Sequence, residues 1–297
     1  MEIRVLRYFL AIAREESITG AANSLHITQP TLSRQIKDLE EELGQKLFIR
    51  GNHRISLTTE GMLLRKRAEE IISMVDKTEQ EFFSMKGNLS GNIYIGSGET
   101  EAMNYIATVC HELQIDYPDI HYHLYSGNAE DVTERLDKGL LDFGLLIQPT
   151  DITKYNYLHL PTKDSWGVIM LKDSPLAKKK EIHVEDLANL PLIFSRQALQ
   201  NHIETNELAK WFGKEWKNLN IVTTFNLVYN ATIMAKQGIG YIISIDKLAN
   251  TSDNSPLCFR PLSPKIESGL DIVWKKYQIF SPVAELFLNK LKEKFSI

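Results

Sequence analysis

The sequence predicts an α/β fold in three parts: an N-terminal winged helix-turn-helix, a long linker helix and a two-lobed C-terminal domain. Three observations support it. Residues 17–39 have the length and turn pattern of two short helices that meet at a corner, residues 58–86 have heptad spacing without proline, and strand and helix patterns alternate from residue 92 onward. The chain has 297 residues, enough for two or three compact units.

The corner is defined by the residues that cap its helices. Ser17 can cap the first helix, whose Ala21 and Ala22 allow close packing, and Thr28 can cap the second, which tolerates Pro30 in its first turn. Apolar residues of the second helix recur at i, i+4, i+7 and i+11 and predict a buried stripe: Leu32, Ile36, Leu39 and Leu43. The opposite face then turns outward, where it can contact the base edges and phosphates of DNA: Pro30, Ser33, Arg34 and Lys37.

A winged element follows the corner. The strand-like runs KLFIR at 46–50 and RISL at 54–57 are joined by Gly51, Asn52 and His53. Four basic side chains around its tip have the spacing of groups that meet phosphates or enter a narrow minor groove: Lys46, Arg50, His53 and Arg54. For the corner alone, the alternative is a small helical turn with a charged surface that never touches DNA.

Residues 58–86 are predicted to form one long helix. They contain no proline, and their one glycine, Gly61, is in the first turn. Apolar or tolerated residues recur in alternating steps of four and three, the pattern of a coiled-coil seam: Leu64, Ala68, Ile71, Val75, Thr78, Phe82 and Met85. At about 1.5 Å per residue, the helix is too long for the small winged domain to cover, so we expect a second copy of the chain to bury the seam. The alternative is an amphipathic helix that packs on the C-terminal domain. It is disfavoured because the helix-breaking residues Gly87, Asn88, Ser90 and Gly91 separate the helix from that domain.

Strand-like and helical stretches alternate after this break. Strands are predicted at 92–96, 120–126, 142–147, 166–171, 191–194, 221–225, 240–244 and 269–276, with a further strand-like run around Cys258. Helices are predicted up to about 116 and at 129–138, 198–212, 227–236 and 282–294. The chain therefore builds one lobe, crosses to a second and returns to the first.

The chain resembles the LysR-type transcriptional regulators. The residues that carry the resemblance stand in the family's order and spacing: LRYFLAIA at 6–13, TGAANSLHITQPTLSRQIKDLEEELGQKLFIR at 19–50 and LTTEG at 57–61. The length and the arrangement of a small N-terminal domain before a large sensor match as well. The resemblance implies a winged helix-turn-helix DNA-binding domain at 1–58, a linker and dimerisation helix at 59–88, and an effector domain at 89–297 that is like the periplasmic binding proteins.

The resemblance also implies the partners and the DNA-binding residues. The partners are double-stranded promoter DNA, a small polar metabolite, further copies of the chain in a homodimer or a homotetramer, and RNA polymerase. The start of the second helix is expected in the major groove, which together with the wing gives the DNA-binding set: Thr28, Gln29, Pro30, Thr31, Ser33, Arg34, Lys37, Arg50, His53 and Arg54. Lobe I is expected at about 89–161 and 267–297 and lobe II at about 162–266, with the effector between them.

An effector site is expected where strands end between the lobes, because open α/β sheets bind ligands there. The residues at those ends are Ser97, Gly98, Glu99, Thr100, Glu101, Asn128, Gln148, Ser195, Arg196, Phe225 and Asn226. The family often has hydroxyl residues after the first strand; Thr100 fits this habit, while Glu99 and Glu101 depart from it. Arg196 and helix N-termini favour a carboxylate or other anion, and an inward glutamate favours an amine, so an amphoteric metabolite is a third option. The glutamates serve neither ligand if they only cap a helix.

Composition narrows the functional classes. The formal net charge is −4, but it is uneven, at +3 over residues 1–67 and −7 over the rest. No signal peptide and no run of about 20 apolar residues is found, so we expect a cytoplasmic protein without membrane contact. Cys110 and Cys258 are expected to be buried free thiols, with redox sensing as the alternative. His121 and His123 lack a third ligand, so no metal or cofactor is expected.

Two functions of different classes are compared. The first is a sequence-specific transcription regulator whose activity a small effector modulates. The second is a two-lobed small-molecule-binding protein or enzyme whose helical N-terminus serves assembly, without specific DNA reading. The wing and the lack of catalytic motifs and of a signal peptide favour the first and argue against an enzyme. A nucleoid-type protein that binds DNA without sequence preference fits poorly with a large acidic sensor.

Overall fold

The computed structural model describes residues 1–50, 55–84, 89–200 and 206–295. The chain forms two compact units, Met1–Phe83 and Ser84–Ile297. Among the described residues, none of the helices combines the length and the apolar composition that a membrane crossing needs.

The described part of the N-terminal unit consists of helices around a two-stranded wing. Its elements are α1 (Ile3–Glu15), α2 (Ile18–Ser24), α3 (Gln29–Leu43), β1 (Phe48–Arg50), β2 (Ile55–Leu57) and α4 (Thr59–Ser84). Both predicted caps form: the Ser17 hydroxyl accepts from the Gly20 N–H at 3.1 Å, and the Thr28 hydroxyl accepts from the Thr31 N–H at 3.4 Å. The corner between α2 and α3 is therefore the one that the sequence predicts.

The core of this unit lies between α1 and α3. Leu32, Ile36 and Leu39 are buried in it, which confirms the predicted stripe, whereas Leu43 is exposed in the last turn of α3. Helix α1 is not among the predicted elements, yet Leu6, Phe9 and Ile12 on it are almost fully buried. Burial of one face of α3 fixes which face is left for other molecules.

Helix α4 also packs on this core, which corrects one expectation. Ala68 is fully buried there, and Leu64 and Ile72 pack beside it. The first two seam positions are thus used within the unit, and the expectation that the small domain does not cover the helix is wrong for its first half. Farther along, Ile71 is 37% and Phe82 66% exposed, while Met85 lies outside the described residues.

The start of α4 is tied to the wing by backbone contacts that explain the TTEG sequence. The Thr58 hydroxyl accepts from the Gly61 N–H at 2.9 Å and donates to the Lys46 carbonyl at 2.7 Å. A Cβ atom at Gly61 would stand 2.1 Å from the Leu47 carbonyl oxygen, so only glycine allows this close approach. The helix therefore begins at a fixed position against the wing.

The C-terminal unit is an α/β domain. Its strands are β3 (Gly91–Ser97), β4 (Ile120–Ser126), β5 (Phe143–Ile147), β6 (Tyr155–Leu171), β7 (Leu192–Ser195), β8 (Ile221–Phe225), β9 (Tyr241–Ile245), β10 (Leu257–Pro261) and β11 (Glu267–Lys275). Its α-helices are α5 (Met103–Asp116), α6 (Ala129–Asp137), α7 (Arg196–Gln200), α8 (Glu207–Phe212), α9 (Val228–Lys236) and α10 (Pro282–Phe295). Short 3₁₀ helices lie at Pro175–Lys178, Val184–Leu187 and Gly213–Asn218.

The strand order shows two lobes joined by two long strands. The order is β4-β3-β5-β11-β6-β9-β7-β8, with β10 also paired to β6. Strand β3 runs parallel to β4 and β5 in the first lobe, and β7 runs parallel to β8 and β9 in the second. Strand β6 pairs with β11 up to Ser165 and with β9 from Trp166 onward, so it passes from one lobe into the other.

The main difference from the predicted elements is the length of β6, which begins at Tyr155 rather than near residue 166. Its first half is the edge strand of the first lobe and has a partly exposed, polar face. Pro161 lies where the pairing with β11 shifts register, and proline within a strand is tolerated at such irregular edge positions. The helix predicted at 198–212 is described as α7 and α8, and residues 201–205 between them lie outside the described residues.

Candidate DNA-binding surface and ligand cleft

The N-terminal half of α3 presents polar and basic side chains to solvent. The Gln29 side-chain amide donates to the Ser33 hydroxyl at 2.8 Å, and the hydroxyls of Thr28 and Thr31 are 2.8 Å apart. With Pro30, these residues form the first turn of the helix and its cap. Hydroxyl and amide groups of this kind can form hydrogen bonds to several base edges.

Arg34 and Lys37 extend this surface by one turn. The Arg34 side chain is 83% exposed, and its Nε lies 3.9 Å from a carboxylate oxygen of Asp38. Lys37 Nζ lies 3.3 Å from a carboxylate oxygen of Glu41. Exposed ion pairs one helical turn apart contribute little free energy, so both cations remain able to bind phosphates or bases.

The rest of the predicted DNA-binding set is in the wing. Arg50 is the last residue of β1, and its side chain lies outside the described residues. His53 and Arg54 lie outside them altogether. All three stay predictions.

Glu40 joins α3 to the wing, and the sequence analysis did not single it out. Its carboxylate accepts from Lys46 Nζ at 2.8 Å, from the Leu47 N–H at 2.9 Å and from the Phe48 N–H at 3.4 Å. Burial alone would raise the pKa of Glu40, but these donors and the Lys46 charge outweigh burial and hold the pKa below its ordinary value. A glutamate seven residues before a buried backbone N–H gives no sequence signal, because the contact depends on the turn after α3.

We predict that Glu40→Ala destabilises the N-terminal unit by about 1–3 kcal/mol, because the buried Leu47 N–H loses its acceptor. Glu40→Gln keeps the acceptor oxygen but loses the charge, so its effect should be smaller. The folded pKa of Glu40 is below the unfolded one, so the stabilisation is present above the unfolded pKa and is lost as pH falls through the folded pKa. Melting curves of the full chain from pH 7 down to pH 3 measure this; a wild-type advantage over Glu40→Gln that does not shrink in acid contradicts it.

A cavity of about 90 Å³ lies between the two lobes of the C-terminal unit. It collects residues from the ends of strands in both lobes, as the sequence predicts. The predicted residues that line it are Gly98, Glu99, Asn128, Gln148, Ser195, Phe225 and Asn226. The fold therefore brings most of the predicted site into one place.

Four predicted residues do not line this cavity. Ser97, Thr100 and Glu101 line an adjoining groove, which Gly98 and Glu99 share. Arg196 is exposed and lines neither space, because it is the first residue of α7 and only its neighbours Ser195 and Gln197 face the cavity. These four predicted residues therefore lie apart from the seven that line the cavity.

Thr100 has a structural role. Its hydroxyl donates to the Asp164 carboxylate at 2.7 Å and accepts from the Ala102 N–H at 3.0 Å, and the residue is buried. Burial raises the pKa of Asp164, against the lowering effects of the Thr100 hydrogen bond and of Lys247. Because the hydroxyl proton is already donated to Asp164, Thr100 has no side-chain proton left to donate to a ligand.

The two glutamates near Thr100 differ in role. The Glu101 carboxylate accepts from the Asn104 side-chain amide at 2.8 Å, which ties it to the next turn of its own segment. The Glu99 carboxylate instead accepts from the Val228 N–H at the start of α9, in the opposite lobe. A second bond crosses the cleft in the reverse direction, from the Ala129 N–H at the start of α6 to the Gln197 side chain at 3.1 Å. Each lobe therefore supplies a side chain to a helix N-terminus of the other.

Some lining residues were not predicted. Trp166 on β6 donates its indole N–H to the Ser268 hydroxyl on β11 at 2.9 Å, and both line the cavity. They lie where the two long strands cross between the lobes. The sequence implies that the chain passes from one lobe to the other twice. Residues at these two crossings could have been predicted to line the cavity, because they lie between the lobes.

The described cysteines and histidines are not arranged for thiolate or metal chemistry. Burial raises the pKa of Cys110 to about 12 and that of Cys258 above its ordinary value, so both stay protonated thiols at neutral pH. This agrees with the expectation of buried free thiols, although Cys110 is only partly buried. His123 shares a hydrogen bond with the Asn92 side chain at 2.8 Å, and no group of three metal-ligating side chains occurs in the described part of the chain.

A winged helix-turn-helix and a two-lobed α/β unit with an interlobe cavity in one chain define a class of protein: DNA-binding regulators that carry a small-molecule-binding domain. Comparison with known families agrees. Residues 3–62 match the bacterial regulatory helix-turn-helix protein, lysR family, and residues 86–296 match the LysR substrate binding domain. The chain belongs to the LysR family, and it is a DNA-binding transcription regulator with an effector-binding domain.

Relatives and solved structures extend over the whole chain. It is 32% identical over 305 aligned positions to the uncharacterized HTH-type transcriptional regulator YnfL of Escherichia coli (strain K12), covering 98% of this chain and 99% of that one. It is 28% identical over 297 positions to the uncharacterized HTH-type transcriptional regulator YvbU of Bacillus subtilis (strain 168), covering 99% of both. Full-length CbnR in a crystal with its target DNA is similar with a TM-score of 0.72 at 16% identity, covering 99% of both chains, a likeness that shows the fold alone.

Proposed function

We propose that the protein binds promoter DNA as a homodimer through the start of α3, and that a small polar molecule in the interlobe cavity changes this binding. The observation that carries the proposal is the cavity itself, whose lining residues Glu99, Gln197 and Val228 take part in two hydrogen bonds between the lobes. A ligand that replaces or strengthens these bonds binds one arrangement of the lobes better than another. Differential binding of this kind is what a ligand needs to shift a conformational equilibrium.

For DNA, the supporting observation is the division of α3 into a buried and an exposed face. Leu32 and Ile36 anchor the helix in the core, while Arg34 and the first turn stay exposed. A rigid helix that presents a bidentate arginine and short hydroxyl groups suits the major groove, where guanine offers two acceptors. The wing residues Arg50, His53 and Arg54 are proposed to add phosphate or minor-groove contacts.

We predict that Arg34→Ala weakens binding to the protein's own upstream DNA by about 1–3 kcal/mol and weakens binding to random duplex far less. The control is Arg4→Ala, since Arg4 is an exposed arginine of the same unit in the first turn of α1. Gel-shift titrations with both duplexes at one salt concentration give the four affinities. Equal losses on specific and random DNA for Arg34→Ala would show a phosphate contact only.

The homodimer is proposed from the part of α4 that follows Ala68. Ile71 and Phe82 expose large apolar side chains there, and Val75 lies between them at seam spacing without belonging to the core of its own unit. Exposed apolar side chains in one row of a helix favour burial by a matching surface. A second copy of α4 supplies that surface with the same spacing.

We predict that Val75→Asp separates the dimer, because a buried unpaired carboxylate costs several kcal/mol. Ser73→Asp is the matched control, as residue 73 is exposed and about half a turn away from residue 75 on the helix. Sedimentation velocity of the full chain gives the assembly state, and a gel shift gives its DNA affinity. Parent-like sedimentation and DNA binding by Val75→Asp contradict the proposed seam.

We further propose that the protein regulates without catalysing a reaction. The described groups that line the cavity are hydroxyls, amides, two glutamates and apolar side chains. Such groups hold and orient a ligand, and none of them is a nucleophile paired with a base. We also propose that the protein acts in the cytoplasm, because a regulator that binds promoter DNA acts where the DNA is.

A further inference from the structure

The charge of the cavity lining is unusual for a site that binds anions. Among the described residues, its ionisable side chains are Glu99 and Glu207, and no lysine, arginine or histidine lines it. The Glu207 side chain is largely exposed and is paired with Lys210 at 2.8 Å. Glu99 is partly buried and is paired with no cation in the described part of the chain. Its negative charge is therefore the one that a ligand meets inside the cavity.

Two helix N-termini at the cavity, those of α6 and α9, are already capped by side chains of the protein. The Glu99 carboxylate accepts from the Val228 N–H and so takes the N-terminus of α9. The N-terminus of α6 is capped by Asn128, whose side chain accepts from the Asp131 N–H at 2.8 Å, and by Gln197 from the other lobe. A carboxylate ligand would have to displace Glu99 or lie against it, and two carboxylates in one site do not both stay ionised.

No lysine or arginine among the described residues lines the cavity with Glu99. Arg196 is exposed and does not line it. Lys247 lines the adjoining groove, which Glu99 also borders, and it lies close to the buried Asp164 there. Two aromatic side chains, Trp166 and Phe225, do line the cavity, and aromatic faces attract cations.

We propose that the cavity selects a small molecule with a protonated amine beside an apolar part, that it rejects the corresponding carboxylate, and that Glu99 determines this choice. This inference rests on the proposed function, in which the cavity holds the effector. Glu99 Oε2 keeps the bond to the Val228 N–H, and Oε1, which has no partner in the described residues, accepts the ammonium. The ligand then adds to the contact that joins the lobes.

The test uses the full chain and three pairs of probes in isothermal titration at pH 7.5 and constant ionic strength. The amines are propylamine and benzylamine, the carboxylates are propionate and benzoate, and the neutral amides are propionamide and benzamide. We expect at least one amine to bind more than tenfold tighter than its size-matched carboxylate, with the amide between them. The proposal is overturned if no amine binds, or if a carboxylate binds as tightly as its matched amine.

Two variants assign the preference to Glu99. Glu99→Gln keeps the size of the side chain and removes its charge, so the ratio of amine to carboxylate affinity should fall at least tenfold. Glu185→Gln makes the same change at an exposed glutamate of the second lobe that does not line the cavity, and the ratio should stay as in wild type. If Glu99→Gln does not fold, as shown by its melting curve, Glu99→Ser is measured instead. An unchanged ratio in the folded Glu99 variant overturns the role of Glu99.

The outcomes for the two proposals are distinguishable. A carboxylate probe that binds in the cavity and changes DNA affinity would reject the amine preference while supporting the proposed function. An amine that binds with the predicted ratios but leaves DNA affinity unchanged would support the amine preference and contradict the proposed function.

Discussion

The pairing of β6 with β11 is the interaction on which the C-terminal domain depends. These two antiparallel strands carry the chain between the lobes, and β6 continues into the second sheet through its pairing with β9. Any change in the arrangement of the lobes therefore has to bend these strands near Trp166, which lines the cavity. The bonds of Glu99 and Gln197 across the cleft are the contacts that such bending makes or breaks.

In the N-terminal unit, a buried carboxylate and a glycine fix the positions of the helices and the wing. Glu40 binds the backbone at the start of the wing, and Gly61 lets α4 begin against the same segment. The helix α3, the wing and α4 are thus held in one arrangement. Because Ala68 brings α4 close to the core, the position of the second half of α4 is fixed relative to the face of α3 that is proposed to bind DNA.

The sequence predicts best what is decided locally. The caps Ser17 and Thr28, the buried stripe of α3 and most strands follow from spacing and residue type over short stretches. The bond between Glu99 and Val228 joins residues 129 positions apart, so no local pattern reveals it. Position in the chain also failed to separate Arg196, which is exposed, from Ser195, which lines the cavity, because side-chain direction at the end of a strand depends on the packing of the next helix. The role of the apolar row of α4 was predicted only in part. Its first residues pack on the core of the N-terminal unit, while later residues of the same row are exposed.

Occupancy of the interlobe cavity is proposed to change DNA binding. The direct measurement is DNase footprinting on the protein's own upstream DNA, with and without a pooled fraction of small cellular metabolites. Ser195→Phe should fill the cavity, while Thr224→Phe places the same side chain on the neighbouring strand, outside the lining. With both variants folded by their melting curves, the account predicts that metabolites change the footprint of wild type and of Thr224→Phe but not that of Ser195→Phe. A Ser195→Phe footprint that responds as wild type does would contradict it.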